Sequence, residues 1–116
     1  MIRKIKNMIK SKLDRGMEEG DIEIEELREF QKEGAIIIDV RSPQEYKEGH
    51  IDGAIIIPEY EIKRKIENKV QDKNQNIVVY CSSGSRSKKA QKILKKLGYE
   101  NVYNLYNGFF NYWDFY

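Results

Sequence analysis

Three short apolar runs, at residues 35–40, 54–57 and 77–81, constrain this chain more than any other feature. They are rich in Ile and Val, too short for ordinary helices, and bounded by turn-forming residues such as Gly34, Gly53 and Asn76. A segment that is apolar at nearly every successive position has no polar face to give to water. Such a segment belongs in a strand covered on both sides, as in a parallel sheet. Stretches with helical spacing separate the runs: 25–32 closed by Gly34, then 43–47, 60–70 and 85–97. Residues 102–105 supply a further strand, 109–116 a last aromatic segment, and Ile22 with Ile24 suit a short edge strand. This alternation predicts an α/β fold with a mainly parallel sheet. In such sheets ligands bind beyond the carboxyl ends of the strands, where loops turn into helices.

Several function classes fall away at once. At 116 residues the chain forms one domain that buries a core without staples. A single cysteine, Cys81, excludes an internal disulfide and a paired-cysteine redox motif. With His50 it is still too small a ligand set for a tetrahedral metal site, so no metal and no cofactor is expected. A formal net charge of +2 carries no nucleic-acid signal. No apolar run approaches the ~20 residues of a membrane helix. The N-terminus has no apolar signal core, because Lys4, Lys6, Lys10 and Lys12 interrupt it. A lone thiol suits the reducing cytoplasm.

Charge is uneven along the chain. Residues 1–16 are basic, 17–29 acidic and 86–96 basic again, a pattern of solvated helix faces. Ile2, Ile5, Ile9 and Leu13 form an amphipathic stripe, which predicts a helix packed on its own domain or on a second copy in a homodimer. A basic helix on an anionic membrane surface and a frayed, partly ordered tail are the alternatives. Gly16 and Gly20 place a boundary near residue 20, dividing a 1–19 extension from a 20–116 domain.

The chemistry concentrates after the most apolar strand. Cys81 is followed by Ser82, Ser83, Gly84, Ser85, Arg86 and Ser87, and then by a helix with Ala90, Ile93, Leu94 and Leu97 as its stripe. A cysteine there lies over unpaired helix N-terminal amides and the positive end of the helix dipole. Gly84 lets the backbone curl so that successive N–H groups point inward as an anion nest. Arg86 adds a positive charge. These features favour a thiolate, and Cys81 is the expected nucleophile. An inert buried cysteine before a Ser-capped helix is the plain alternative.

Over roughly residues 20–113 the sequence resembles the rhodanese family of single-domain sulfurtransferases. The resemblance is carried by Ile38-Asp39-Val40-Arg41, Glu45-Tyr46, and Gly49-His50-Ile51-Asp52-Gly53-Ala54 closed by Pro58. It continues through Tyr80-Cys81-Ser82-Ser83-Gly84-Ser85-Arg86-Ser87, Leu97-Gly98-Tyr99, Val102-Tyr103 and Gly108 with Trp113. It implies a five-stranded, mainly parallel sheet flanked by helices on both faces. It also implies that Cys81 holds a sulfane sulfur as a persulfide, taken from a small donor such as thiosulfate or another persulfide. The acceptor is cyanide or an external thiol, small or on a protein, because no second cysteine can resolve the persulfide internally.

Two rivals are weighed against this. Dual-specificity phosphatases resemble rhodaneses in fold but place five residues between Cys and Arg, whereas four lie between Cys81 and Arg86. The shorter ring suits a sulfur atom better than a phosphoryl group. The second rival is a non-catalytic rhodanese-like binding or regulatory module; many of these lack the cysteine kept here. Asp39, Arg41 and Glu45 read as scaffold, through an ion pair or a loop anchor. His50 reads as a turn held by imidazole hydrogen bonds. Arg86 faces either an anionic substrate or a carboxylate such as Glu45. Tyr103, Tyr106, Phe109, Phe110, Tyr112, Trp113, Phe115 and Tyr116 are expected to close the core. The family's Gly-Gly pair reads Asn107-Gly108, and little chain follows Trp113, so the rim of the site is expected to differ while the loop around Cys81 is left untouched.

Overall fold

The computed structural model describes Lys12 and residues 15–112. The N-terminal stripe of Ile2, Ile5, Ile9 and Leu13 lies outside the described residues, as do Trp113, Phe115 and Tyr116. The elements run β1 (Asp21–Ile22), α1 (Ile24–Lys32), β2 (Ile36–Asp39), α2 (Pro43–Glu48) and β3 (Ile55–Ile56). A 3-10 turn (Glu59–Glu61) follows, then α3 (Ile62–Lys69), β4 (Ile77–Tyr80), α4 (Ser85–Lys96), β5 (Val102–Leu105) and a second 3-10 turn (Gly108–Asn111).

The five strands pair in the order β1-β5-β4-β2-β3, and every pairing is parallel. Successive residues of a strand point to opposite faces, so one apolar run feeds two cores. Ile38, Val40, Ile77 and Val79 pack against Ile62 and Ile66 of α3 and Ala90 and Leu94 of α4. Ile37, Val78 and Tyr80 pack on the other side with Ile24 and Leu27 of α1, Leu105 and Phe109. Helices therefore cover both faces. All four residues of β4 are fully buried, which is why that run shows no alternation.

The edges differ from the sequence reading. Ile24 opens α1 instead of extending β1. Its useful spacing is to Leu27, three residues on, and the two share the inner stripe of α1. The run at 54–57 pairs as a strand only over Ile55–Ile56, because it is an edge with β2 alone beside it. The expected helix at 60–70 begins as a 3-10 turn and becomes α-helical at Ile62.

Strand β4 lies between β2 and β5, and this placement locates the site. The chain leaves β2 toward β3 on one side and leaves β4 toward β5 on the other. Connections that depart in opposite directions open a crevice over the carboxyl ends of the central strands. Cys81 is the first residue past β4.

Candidate active site

Cys81 is 1% exposed and belongs to the core packed on α3 and α4. The chain then turns through residues 82–84 and enters α4. Gly84 makes that turn with φ +116° at the helix N-cap, a left-handed region costly for a residue with a side chain. A Cβ there would meet nothing within 4 Å, so the requirement for glycine is purely one of backbone conformation.

The turn brings donors back to the sulfur. Gly84 N lies 3.1 Å and Ser87 N 3.4 Å from Cys81 Sγ. The Ser87 hydroxyl is also 3.4 Å from Sγ and 3.0 Å from the Gly84 carbonyl, to which it donates. A hydroxyl has one proton, so a neutral thiol gives its own proton to Ser87 Oγ. An anionic sulfur can instead receive the Ser87 proton by rotation of the hydroxyl. Ser85, Arg86 and Ser87 have no carbonyl one turn back, as at any helix start. Of the amides between Ser82 and Ser87, those of Gly84 and Ser87 are the two that reach the sulfur among the described contacts. Ser83 and Ser85 are exposed on the outer side of the loop.

A second wall comes from the segment after β2. Ser42 caps α2, accepting from Glu45 N at 3.2 Å, while Glu45 Oε1 accepts from Ser42 N at 3.1 Å. This reciprocal cap fixes the Glu45 carboxylate over the loop after β4. Arg86 grips it with two parallel bonds, Nη1–Oε1 at 2.7 Å and Nη2–Oε2 at 3.0 Å. Ser82 Oγ donates to Glu45 Oε2 at 3.0 Å and accepts from Arg86 Nη2 at 3.2 Å. Of the two orientations open to Arg86, the structure shows the carboxylate-facing one. Its charge is paired with Glu45, and the groups that lie directly on the sulfur are the amides of Gly84 and Ser87 and the Ser87 hydroxyl.

The Arg86 fork, together with the Ser42 and Ser82 donors, holds the Glu45 carboxyl well below the usual carboxylate range. A depressed value means that the pair contributes stability above the ordinary carboxyl pKa of 4.5 and loses it as pH falls below that point. The pair is partly exposed, so solvent screens it and the effect is modest. Glu45→Gln removes the titration. Its acid unfolding curve is expected to be shallower than wild type below about pH 4.5, measured as urea midpoints across that range; superimposable pH slopes would count against the pairing.

Asp39, Arg41 and Tyr80 form a buried set beneath the site. Arg41 donates through Nε to Asp39 Oδ1 at 3.0 Å and through Nη2 to Oδ2 at 2.7 Å, and again to the Gly49 carbonyl at 2.7 Å. Its guanidinium lies 4.3 Å from the centroid of the Phe109 ring. Tyr80 OH donates to Asp39 Oδ2 at 2.9 Å and accepts from Ile51 N at 3.0 Å. Burial pushes the Tyr80 phenol up, so it remains a neutral donor. Tyr80→Phe is expected to lower stability by about 1–2 kcal/mol, because it leaves the Ile51 N–H without its acceptor. Urea unfolding measures this, and an unchanged midpoint would refute the network.

His50 does not join the loop. Its Nδ1 lies 2.8 Å from the Tyr46 carbonyl, and its ring stacks on Tyr46 at 3.6 Å between centroids. The carbonyl can only accept, so Nδ1 carries the proton. The imidazole closes the turn after α2.

One contributor escaped the sequence reading. The segment after β5 returns to the loop, where Phe109 N donates to the Cys81 carbonyl at 2.8 Å and Phe110 N to the Ser82 carbonyl at 3.3 Å. Gly108, at φ +62°, lies flat against those carbonyls. A Cβ on it would lie 2.6 Å from Ser82 O and closer still to Cys81 O. Asn107, where the family has glycine, also takes a left-handed φ of +61°, a region that Asn enters more readily than most residues. The available signal was the Asn-Gly pair itself, which marks successive left-handed residues. Phe109 is buried as core, whereas Phe110 is exposed.

The comparisons with known proteins agree with this geometry. The chain is 46% identical over 67 residues to the thiosulfate sulfurtransferase PspE of Escherichia coli K12, spanning 58% of this chain and 64% of that one. It is 38% identical over 82 residues to the tRNA uridine(34) hydroxylase of Erwinia tasmaniensis, spanning 67% of this chain but only 23% of that protein. The chain thus spans less than two thirds of these curated relatives. Among solved structures, a rhodanese-related protein from Thermoplasma volcanium superposes with a TM-score of 0.71 at 30% identity, covering 81% of this chain and 90% of that one. The human single-domain sulfurtransferase shares the fold with a TM-score of 0.75 at 23% identity, covering 85% of this chain and 99% of that one. With residues 23–114 matching the rhodanese-like domain family, the loop around Cys81 has its context: this chain belongs to that family.

Proposed function

We propose that this protein is a sulfurtransferase that carries a sulfane sulfur on Cys81 between a small donor and an external acceptor. The observation that carries the reading is the pair of backbone amides, Gly84 N and Ser87 N, turned onto the Cys81 sulfur at the head of α4. Amides so placed stabilise negative charge without rearranging during the reaction. The likeness to PspE supports thiosulfate as a donor.

In the first half-reaction the Cys81 thiolate attacks the sulfane sulfur of thiosulfate. A Cys81 Sγ–S bond forms, the donor's S–S bond breaks, and sulfite leaves with that electron pair. In the second, an acceptor thiolate or cyanide attacks the outer sulfur. The Sγ–S bond then breaks and its pair returns to Cys81. Both covalent states are anionic, so one amide cradle serves both, and the kinetics are ping-pong. Arg86, Glu45 and Ser82 hold the loop in shape, and Asp39 and Arg41 hold the floor beneath it. A thiol that must be regenerated at each turnover suits a reducing compartment. Intact mass after thiosulfate treatment tests the reading: wild type gains one sulfur atom on Cys81, and a protein that gains none is a binding module instead.

A further inference from the structure

Sulfur transfer at Cys81 brings like charges together, because an anionic sulfur attacks a donor that is itself an anion. Thiosulfate carries two negative charges, and a site that captures it electrostatically needs cations free to face it. The cations in the first two turns of α4 are Arg86, Lys88 and Lys89, and each has a carboxylate from a different segment. Glu45 of α2 holds Arg86 at 2.7 Å. Asp21 of β1 lies 2.6 Å from Lys88 Nζ, and Glu18 lies 3.5 Å from the same ammonium. Asp21 is buried, and its carboxylate is fixed by Glu18 N at 2.8 Å and Asn104 Nδ2 at 3.1 Å, so this pairing is part of the fold. Glu59, in the turn after β3, lies 3.0 Å from Lys89 Nζ, and its own N–H donates to the Val40 carbonyl just past β2. Three cations thus face four carboxylates. The helix start adds about half a positive charge, which brings the border of the loop close to neutral. Lys92, Lys95 and Lys96 lie further along α4, about 10 Å or more from its first residue, a full Debye length at physiological salt.

We propose that Glu45, Asp21, Glu18 and Glu59 are specificity-determining residues, and that by matching these cations they favour a singly charged organic sulfane donor over the thiosulfate dianion. This rests on sulfur transfer at Cys81. The Cys81 thiolate attacks the donor's terminal sulfur and an Sγ–S bond forms. The donor's S–S bond breaks, and its organic part leaves as an anion with that electron pair. Thiolate and donor together then carry one negative charge fewer than thiolate and thiosulfate. The amides of Gly84 and Ser87 lie on the sulfur and serve either donor. The extra charge of thiosulfate meets only cations that already have carboxylates, so thiosulfate reacts without being drawn in.

The test compares thiosulfate with methanethiosulfonate, in which a methyl group replaces one charged oxygen and the transferred sulfur is the same; cyanide is the acceptor. A Cys81 that gains sulfur from neither donor overturns sulfur transfer itself, and this proposal with it. Where sulfur is gained, the readout is the ratio of kcat/KM for thiosulfate to kcat/KM for methanethiosulfonate. Intrinsic donor reactivity cancels when that ratio is followed across salt and across variants. In wild type the ratio is expected to stay level or rise between about 20 and 200 mM salt, because salt weakens attraction only where attraction exists. A ratio that falls with salt means net positive charge at the mouth and overturns the proposal. The double variant Glu18→Gln, Glu59→Gln removes two of the matching charges. It is expected to raise the low-salt ratio by about tenfold and to make it fall with salt. Glu18 is exposed and the Glu59 backbone bond to Val40 does not depend on the side chain, so the fold tolerates both changes. A low-salt ratio that does not rise in the double variant overturns the proposal, and the wild-type salt dependence decides it independently of that variant.

Discussion

Cys81→Ser is expected to fold, to gain no sulfur from thiosulfate, and to lose thiosulfate-to-cyanide turnover by on the order of 10³-fold or more. The substitution exchanges one atom at a site 1% exposed. Gly84 N and Ser87 Oγ, at 3.1 and 3.4 Å from the sulfur, remain available to a serine oxygen, so the stability change is about 1 kcal/mol or less. The chemistry does not survive the exchange. A hydroxyl is not ionised by a few backbone amides at neutral pH, and an oxygen cannot store sulfane sulfur as a stable anion. Turnover that persists in the variant would overturn the assignment of Cys81. Hydrolysis of an aryl phosphate by wild type but not by Cys81→Ser would instead support the phosphatase reading, against the four-residue spacing to Arg86.

The sequence revealed those parts of the structure in which a local pattern has a single physical outcome. An unbroken run such as 77–80 can only be a doubly covered strand, and β4 is one. A cysteine between that strand and a Ser-rich helix start was expected over helix-start amides, and the amides of Gly84 and Ser87 lie on its sulfur. Parts that depend on which strands become neighbours were less legible. Glu45 and Arg86 are 41 residues apart, and their pairing requires β2 to lie beside β4. Ile24 misled because a spacing of two to Ile22 and of three to Leu27 fit different elements, and the helix prevailed. The contact between Gly108 and the loop was invisible for the same reason. It exists only because β5 pairs with β4 and delivers the next turn to the carbonyls that follow Cys81.

That contact makes Gly108→Ala the second large effect expected here, and a paired control separates its two causes. A methyl at Gly108 meets Ser82 O at 2.6 Å and the Cys81 carbonyl at closer range, where real Cβ atoms are essentially never found. Both atoms are backbone, so the strain cannot be relieved by a side chain swinging away. The turn or the loop must move, breaking the Phe109 N to Cys81 O bond of 2.8 Å. Cys81 is then shifted against the amides of Gly84 and Ser87, and a displacement of about 1 Å is enough to cost on the order of 10²-fold in turnover. Stability falls as well, by about 2–3 kcal/mol, from overpacking added to a positive φ. Gly53→Ala provides the control. Gly53 has a similar backbone requirement, φ +82°, but a Cβ there meets nothing within 4 Å. It is expected to lose about 1 kcal/mol of stability and to keep wild-type turnover. The two variants thus share the cost of a left-handed alanine and differ in the collision with the loop. If Gly108→Ala loses only what Gly53→Ala loses, the turn after β5 does not hold the loop in place. A loss of turnover confined to Gly108→Ala, with both variants folded, shows that the position of the nucleophile depends on a glycine outside the loop.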